Sequence, residues 1–389
     1  MAHLREVAIA GVGLTHFDVY DGDRGRLFKE GYELGMEAVL NALQDAGMEW
    51  GDIQAAFCGS VYQNTGSGHQ ALDQIGMTGI PIVNVENACS SGASAFRLAY
   101  QSVATGLYDI ALAFGYEKMP RGFIRSTAWP LWQRYMGFNV QPAAYAKESV
   151  RYAEETGATE EDFARVTVKN RKNGSLNPNA RFQKEVTLEE VLSSRMIAKP
   201  MRLLHCCPLA DGGAAAILCS KGKRKSKGNK VTVAASVLCS GVYGSLTGGS
   251  GTAISSVRIH HDLVELSAKE AWEKSGFGPE DMDVVEAYDT MAPGELWDLE
   301  KLGLCKKGEA PGLLKTGALN IDGRIPVNTD GGLMSRGHPL GATALAQIIE
   351  IYKQLRGEAG ARQVPGGPKV GLAHSMGAGP NSAVTILKR

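Results

Sequence analysis

The chain has 389 residues with 41 basic and 41 acidic side chains, so its formal net charge is zero, and 44% of its residues are hydrophobic against 21% charged. That length holds one large fused architecture or two to three domains' worth of core, and the composition is ordinary for a globular protein. A neutral balance sets aside the strongly basic class of nucleic-acid binders, and no run approaches ~18 consecutive apolar residues, so no membrane-spanning helix is expected.

The first residues, MAHLREVAIAGVG, lack a basic region followed by a long apolar run and a cleavage site, and read as a first strand within 5–17 rather than a signal peptide. Seven cysteines, an odd number without regular spacing, suit a reducing compartment, so a cytoplasmic location is expected. Residues 27–48 have helical periodicity that Gly47 stops, and 53–63 read as a second strand. PIVNVEN, residues 81–87, alternates apolar and polar side chains and reads as a buried strand; 93–106 carry Phe96, Tyr100 and Val103 at helical spacing; 108–119 read as a further strand. This alternation predicts an α/β fold with a largely parallel sheet.

The texture changes near residue 120. A stretch with Trp129, Trp132, Tyr135 and Phe138 lacks clean periodicity, and two helical patterns follow, the second with a capped start at Thr159. Residues 120–205 read as an insertion covering the site, whose aromatics pack a small core of their own or line a pocket. DGGAAAILCS, residues 211–220, is a buried strand. KGKRKSKGNK, residues 221–230, reads as a solvated linker, which places a boundary between an N-terminal part, 1–230, and a C-terminal part, 231–389. The second part repeats the pattern: a strand from 231, a helix over 263–276, a strand over 282–289 ending in Tyr288 and Asp289, helices over 294–303 and 345–357, then a strand, a glycine turn and a last strand. No strict repeat is visible, so any duplication is architectural.

Four places offer chemistry. Cys89 lies on the turn NACSSG between a strand and a helix, where unpaired backbone N–H groups lower a thiol's pKa. It reads as an activated nucleophile or as a small core cysteine, and the turn alone does not decide. His338, between Gly337 and Pro339 and just before a helix, has the side chain suited to general-base work. His374 precedes a C-terminal glycine turn, and Tyr288 with Asp289 closes a strand. Backbone N–H groups near Gly377 suit stabilisation of a developing oxyanion. His205, Cys206 and Cys207 are adjacent but lack the gaps of a zinc site, and read as core packing.

In order and at these distances, NACSSG around Cys89, NTDGGLMSRGHPLGATA around His338 and the C-terminal glycine turn resemble the thiolase superfamily over nearly the whole chain. HCCPLADGGAAAIL and KNRKNGSLNPNA resemble its sterol-carrier-protein type, alongside acetyl-CoA acetyltransferase-like members. The resemblance implies a thiolase fold: duplicated α/β halves with two central mixed sheets in layered packing, an inserted loop domain and a homodimer. It implies a Cys89 nucleophile, a His338 base, an oxyanion hole from the N–H groups of Cys89 and Gly377, no metal or bound cofactor, and coenzyme A as co-substrate. The implied reaction is cleavage of a 3-oxoacyl-CoA by CoA, in lipid or aromatic catabolism. The chain departs from the family twice. His374 stands where ordinary thiolases have a second cysteine, and Tyr288-Asp289-Thr290-Met291 replaces the His-Asp-Cys-Phe of the sterol-carrier type. That leaves His374 and Tyr288 as the expected second acid–base, His374 ahead, since its ordinary pKa is nearer neutrality. The Tyr-Asp pair also resembles thiolase-like proteins that work with a small zinc-ribbon OB-fold partner, some thiolases and some retro-aldolases for 3-hydroxyacyl-CoA such as steroid side chains. A non-catalytic acyl-CoA-binding subunit is the third reading, against which the retention of Cys89 and His338 argues. Trp129, Trp132 and Asp289, with Arg121, Arg125 and Arg134 nearby, are the expected contacts of a bulky aromatic, dicarboxylic or branched acyl group, such as a benzoylsuccinyl-CoA-like compound.

Overall fold

The computed structural model describes residues 4–122, 131–136, 140–223, 228–241, 262–378 and 381–389. A first series of elements runs β1 (Val7–Leu14), α1 (Gly31–Ala46), β2 (Ala55–Gly59), α2 (Ser67–Asp73), β3 (Ile82–Val85), α3 (Ser91–Ala104) and β4 (Ile110–Glu117). Local chemistry explains the ends. Glu30 and Glu33 form a capping box at the start of α1, and Gly47 ends it with φ 62°. Next come α4 (Leu131–Tyr135), α5 (Gln141–Thr156), α6 (Glu160–Ser175), α7 (Leu188–Ser193) and a small hairpin, β5 (Met196–Ala198) with β6 (Met201–Arg202). The cap expected at Thr159 is present: its hydroxyl accepts from the Asp162 N–H, while the Asp162 carboxylate accepts from the Thr159 N–H at 2.9 Å. Strand β7 (Gly212–Ser220) then returns to the main sheet.

The second series is β8 (Thr232–Ser240), α8 (Leu263–Ser275), β9 (Val284–Glu286), α9 (Ala292–Lys301), α10 (Ala310–Lys315), α11 (Gly332–Arg336), α12 (Leu340–Arg356), β10 (Val370–Gly377) and β11 (Asn381–Lys388). Among the described residues, nine strands hydrogen-bond in the order β3-β2-β4-β7-β1-β8-β11-β10-β9. Each series contributes a mixed sheet. In the first, β3 and β4 run parallel to β2, whereas β7 runs antiparallel to β4 and β1. In the second, β11 runs antiparallel to β8 and β10, and β9 parallel to β10. The two sheets meet at β1 and β8 through the single register pair Ala8 and Thr232. The sheet is therefore more antiparallel than the strand–helix alternation predicts, because β7 and β11 return as neighbours of strands running the other way.

Helices α3 and α12 pack on each other and touch strands of both series, α1 covers β1, β7 and β4, and α8 covers β8 and β11. Leu34, Ala38, Val39, Ala42 and Ala46 bury the inner face of α1; Phe96, Ala99 and Val103 on α3 meet Leu345, Ile348 and Tyr352 on α12. The layers are thus helix, sheet, central helix pair, sheet, helix. Two local expectations change. Strand β3 is only partly buried, with Val83 41% exposed, because among the described residues it is the outermost strand and pairs on one side only. Strand β9 stops at Glu286, so Tyr288 and Asp289 lie past the sheet rather than inside a strand. No helix of the described residues is long and apolar enough to cross a membrane.

Candidate active site

After β3 the chain turns sharply at Glu86-Asn87-Ala88-Cys89 into α3. Ala88 has φ 49°, a left-handed conformation that costs a non-glycine residue about 1–2 kcal/mol. Side chains hold the turn in place. The Glu86 carboxylate accepts from the Ala88 N–H at 2.7 Å, the Ser91 hydroxyl accepts from the Asn87 N–H at 2.9 Å and donates to the Ala88 carbonyl at 2.6 Å, and Asn87 Nδ2 donates to Ser94 Oγ at 2.8 Å. The consequence is a sulfur held next to the start of α3, only 7% exposed. The helix start does not give a thiolate: burial pushes the Cys89 thiol up to about 11, outweighing the hydrogen bonds to the sulfur from Tyr288, from its own N–H and from the Ala378 N–H. The sulfur is a protonated thiol until something removes its proton.

His338 follows α11 and sits just before α12, its ring buried. Its Nδ1 lies 2.8 Å from Thr343 Oγ1, and that hydroxyl donates its own hydrogen to the Pro339 carbonyl at 2.8 Å. The hydroxyl therefore accepts from Nδ1–H, which leaves Nε2 without a proton. The Tyr288 hydroxyl lies 3.5 Å from Nε2 and also hydrogen-bonds the Cys89 sulfur, so it bridges thiol and imidazole. Burial, with some help from the Arg336 charge, lowers His338 to about 3, so the resting ring is neutral and ready to accept. Burial and the neighbouring Cys89 raise the Tyr288 phenol well above its ordinary value.

These groups open onto a cavity of about 760 Å³. Its walls come from the Cys89 turn, from Val61 and Tyr62 after β2, from Gln141, Pro142, Ile197 and Leu203 around α5 and the β5–β6 hairpin, from Cys206 to Leu209, and from Tyr288, Thr290, Met291, His338, Leu340, Ala378 and Asn381. Glu86 is the one charged side chain among the described lining residues. Beneath it, Glu117 at the end of β4 accepts from the N–H groups of Val61, Tyr62 and Gly341 and from Gln63 Nε2, at 2.7–3.0 Å. This buried carboxylate joins the cavity's β2 wall to the start of α12, and burial raises it to about 7. Gly377 ends β10 where a Cβ would come within 2.2 Å of the Asn87 carbonyl, so only glycine lets β10 approach the Cys89 turn. That approach brings the Ala378 N–H, one residue beyond the glycine expected to donate, to the sulfur. Among the described residues, no group of three or more His, Cys, Asp or Glu side chains is arranged to hold a metal ion.

Residues 7–222 match the family described as Thiolase, N-terminal domain, and residues 252–389 match Thiolase C-terminal domain-like. The chain belongs to the thiolase family. This thiolase is 38% identical to Sterol carrier protein 2 of Bos taurus over 98% of its own length and 72% of that protein's. It is also 38% identical to Benzoylsuccinyl-CoA thiolase subunit BbsB of Thauera aromatica, over 96% of this chain and 95% of that one. Among solved structures, the Ltp2-ChsH2(DUF35) aldolase superposes with a TM-score of 0.86 at 28% identity, covering 98% of both chains. The chain is accordingly an acyl-CoA acyltransferase of the thiolase kind.

Within this thiolase, Cys89, Tyr288 and His338 meet in one cavity, whereas other expected site residues lie elsewhere. His374 is fully buried inside the wall: Nε2 lies 3.2 Å from Ser382 Oγ, Nδ1 lies 3.6 Å from Asp298 Oδ2, and the residue does not border the cavity. Gly377 is three residues further on, roughly 10 Å along an extended strand. Asp289 also faces away. It accepts from Leu333 N–H at 2.7 Å, Asn170 Nδ2 at 2.8 Å and Met334 N–H at 3.3 Å, and so anchors α11 just ahead of His338. Successive residues of the Tyr-Asp pair thus serve opposite sides, one the cavity and one the frame. Trp132 is 45% exposed on α4 and does not border the cavity; Trp129 lies outside the described residues. Sequence reasoning missed Cys206, Cys207 and Glu117. Cys206 and Cys207 read as core packing, yet both line the cavity, and Cys207 Sγ lies 3.3 Å from Thr290 Oγ1. The available signal was their place beside Pro208 in a segment that resembles the sterol-carrier type.

Proposed function

We propose that this thiolase cleaves a bulky 3-oxoacyl-CoA with CoA through an acyl thioester on Cys89. The observation that carries the reading is the Tyr288 hydroxyl bridging the Cys89 sulfur and the unprotonated Nε2 of His338 at the floor of an apolar cavity. Thiol and imidazole are both neutral at rest, because burial penalises either charge alone. As the sulfur attacks the C3 carbonyl, its proton passes toward His338. Imidazolium and oxyanion appear together and stabilise each other in a water-poor site. In this reading the N–H groups of Cys89 and of the Gly377-Ala378 turn receive the oxyanion. Coenzyme A is the second substrate and regains the acyl group from Cys89.

The described lining is apolar, with Val61, Pro142, Ile197, Leu203, Leu209, Met291 and Leu340, and includes no lysine or arginine. This supports a bulky acyl group with a large apolar part, and the likeness to a benzoylsuccinyl-CoA thiolase subunit supports an aromatic one. For partners, we infer a homodimer formed through the free edge of β3, and a small zinc-ribbon OB-fold subunit like that of the thiolase-like proteins the Tyr-Asp pair resembles. The exposed Leu131, Trp132, Tyr135 and Met136 of the α4 region give such a subunit an apolar face. The test of function is intact mass after incubation with an aryl 3-oxoacyl-CoA without free CoA. An acyl-sized increment is expected on wild type and not on Cys89→Ala, and turnover without that increment would refute the reading. The likeness to an aldolase favours a second activity, retro-aldol cleavage of a 3-hydroxyacyl-CoA, which needs no thioester on the protein. Cys89→Ala separates the two, since it stops thiolysis and spares aldol cleavage.

A further inference from the structure

Cleavage of the C2–C3 bond leaves an electron pair on C2, and a second group must supply its proton. With His374 inside the wall and Tyr288 engaged with Cys89 and His338, four titratable side chains remain among the described residues of the cavity lining. The Glu86 carboxylate is held by the Ala88 N–H. Tyr62 stands on the β2 wall. The Cys206 thiol donates to the Arg202 carbonyl at 3.5 Å, which turns its proton toward backbone. Cys207 differs from all three. Its N–H donates to the Thr290 carbonyl at 3.0 Å, the neighbouring Cys206 pairs with Met291, and its sulfur rests 3.3 Å from the Thr290 hydroxyl. Backbone pairing thus fixes this thiol against the segment that presents Tyr288, on the same cavity as Cys89.

We propose that Cys207, held by Thr290, is the second acid–base of the reaction. The assignment rests on the Cys89 acyl-enzyme reading and names the group that reading leaves open. In the first half, the Cys89 thiol loses its proton to His338 and its sulfur bonds to C3. The C2–C3 bond breaks, its electron pair passes to C2 and into the thioester as an enolate, and Cys207 Sγ–H protonates C2. The shortened acyl-CoA departs and Cys207 remains as thiolate. In the second half, that thiolate takes the proton of the incoming CoA thiol, the CoA sulfur bonds to the acyl carbon, and Cys89 leaves and recovers its proton from His338. Protons and electrons balance with no further reactant. Burial raises the Cys207 thiol, so the resting group is mainly the acid, which suits protonation of a strongly basic enolate, while its minor thiolate fraction, growing as pH rises, is the form that removes a C2 proton.

The test reads Cys207 apart from Cys89. A saturated acyl-CoA incubated with the protein in D₂O exchanges its C2 hydrogens through the second acid–base alone, without acylation of Cys89, and mass spectrometry follows the deuterium. Wild type and Cys89→Ala are both expected to catalyse exchange, and Cys207→Ala and Cys207→Ser to lose it by ~10²-fold or more, together with 3-oxoacyl-CoA cleavage. Acylation of Cys89 by p-nitrophenyl acetate, whose leaving group needs no proton, is expected to persist within about threefold in Cys207→Ala, which shows the fold and nucleophile intact. Exchange and cleavage that survive in both Cys207 variants overturn the assignment. A wild type that exchanges C2 hydrogens but never acylates Cys89 overturns the acyl-enzyme reading and leaves Cys207 standing.

Discussion

His338 and His374 form a natural experiment inside one molecule. Both precede a turn in a glycine-rich segment, both are buried, and burial lowers both to about 3. One sits on a loop that ends at the cavity, its Nδ1 held by Thr343 so that Nε2 faces Tyr288. The other sits inside a strand paired on both sides, between β9 and β11, facing Ser382 and Asp298. Equal burial and equal titration therefore accompany different positions. What separates a reactive histidine from a packed one here is an unprotonated nitrogen that opens on space shared with a nucleophile.

Substitutions at each end of this comparison give graded outcomes. His338→Ala is expected to lower kcat/KM for a 3-oxoacyl-CoA by ~10²–10⁴-fold, the range for loss of a general base; a rate within threefold of wild type removes His338 from the chemistry. Tyr288→Phe deletes the bridging hydroxyl. The loss of roughly 1.5–3 kcal/mol for a hydrogen bond to a charged group corresponds to about 10- to 100-fold in kcat, with KM little changed. Thr343→Val leaves the Nδ1–H without its acceptor, and about 1 kcal/mol, or roughly fivefold in kcat, is expected to go with it. A threonine-to-serine change at the same position should restore most of the rate.

The smallest effect on rate is expected at the other histidine. His374→Asn should keep kcat within about threefold, and a collapse of cleavage there would return His374 to the acid–base role its sequence position suggests. Its signature is in stability. The folded-state pKa lies below the ordinary 6.5, so His374 favours the fold fully above pH 6.5 and loses that contribution as pH falls toward 3. From pH 7 to pH 5 the loss is roughly 2 kcal/mol at about 1.4 kcal/mol per unit. Urea unfolding of His374→Asn should therefore show a decline over that interval smaller than wild type's by about this amount.

Much of this was legible in the residues. Periodicity and Gly47 delimited α1, the Thr159 cap marked α6, and NACSSG and GHPLG pointed to a strand–turn–helix and a pre-helical loop that meet across α3 and α12. Sheet partners were not legible, because a buried strand such as β7 reads alike whether its neighbours run with it or against it. The direction of the Cys89 shift was also misread. A helix start is a local feature, whereas the burial that outweighs it comes from side chains gathered from across the chain. Cys207 was hidden for a similar reason: its partner, Thr290, lies 83 residues downstream.

Ala88 links this geometry to how variants of the chain would fare under selection. An alanine at φ 49° keeps about 1–2 kcal/mol of backbone strain just before the nucleophile, and glycine relieves it. A screen for heat resistance alone would favour Ala88→Gly, and the same change would loosen the one bend that aims Cys89. Heat-tolerant descendants of this sequence would then be slower catalysts, so laboratory evolution needs turnover as a second criterion at this position.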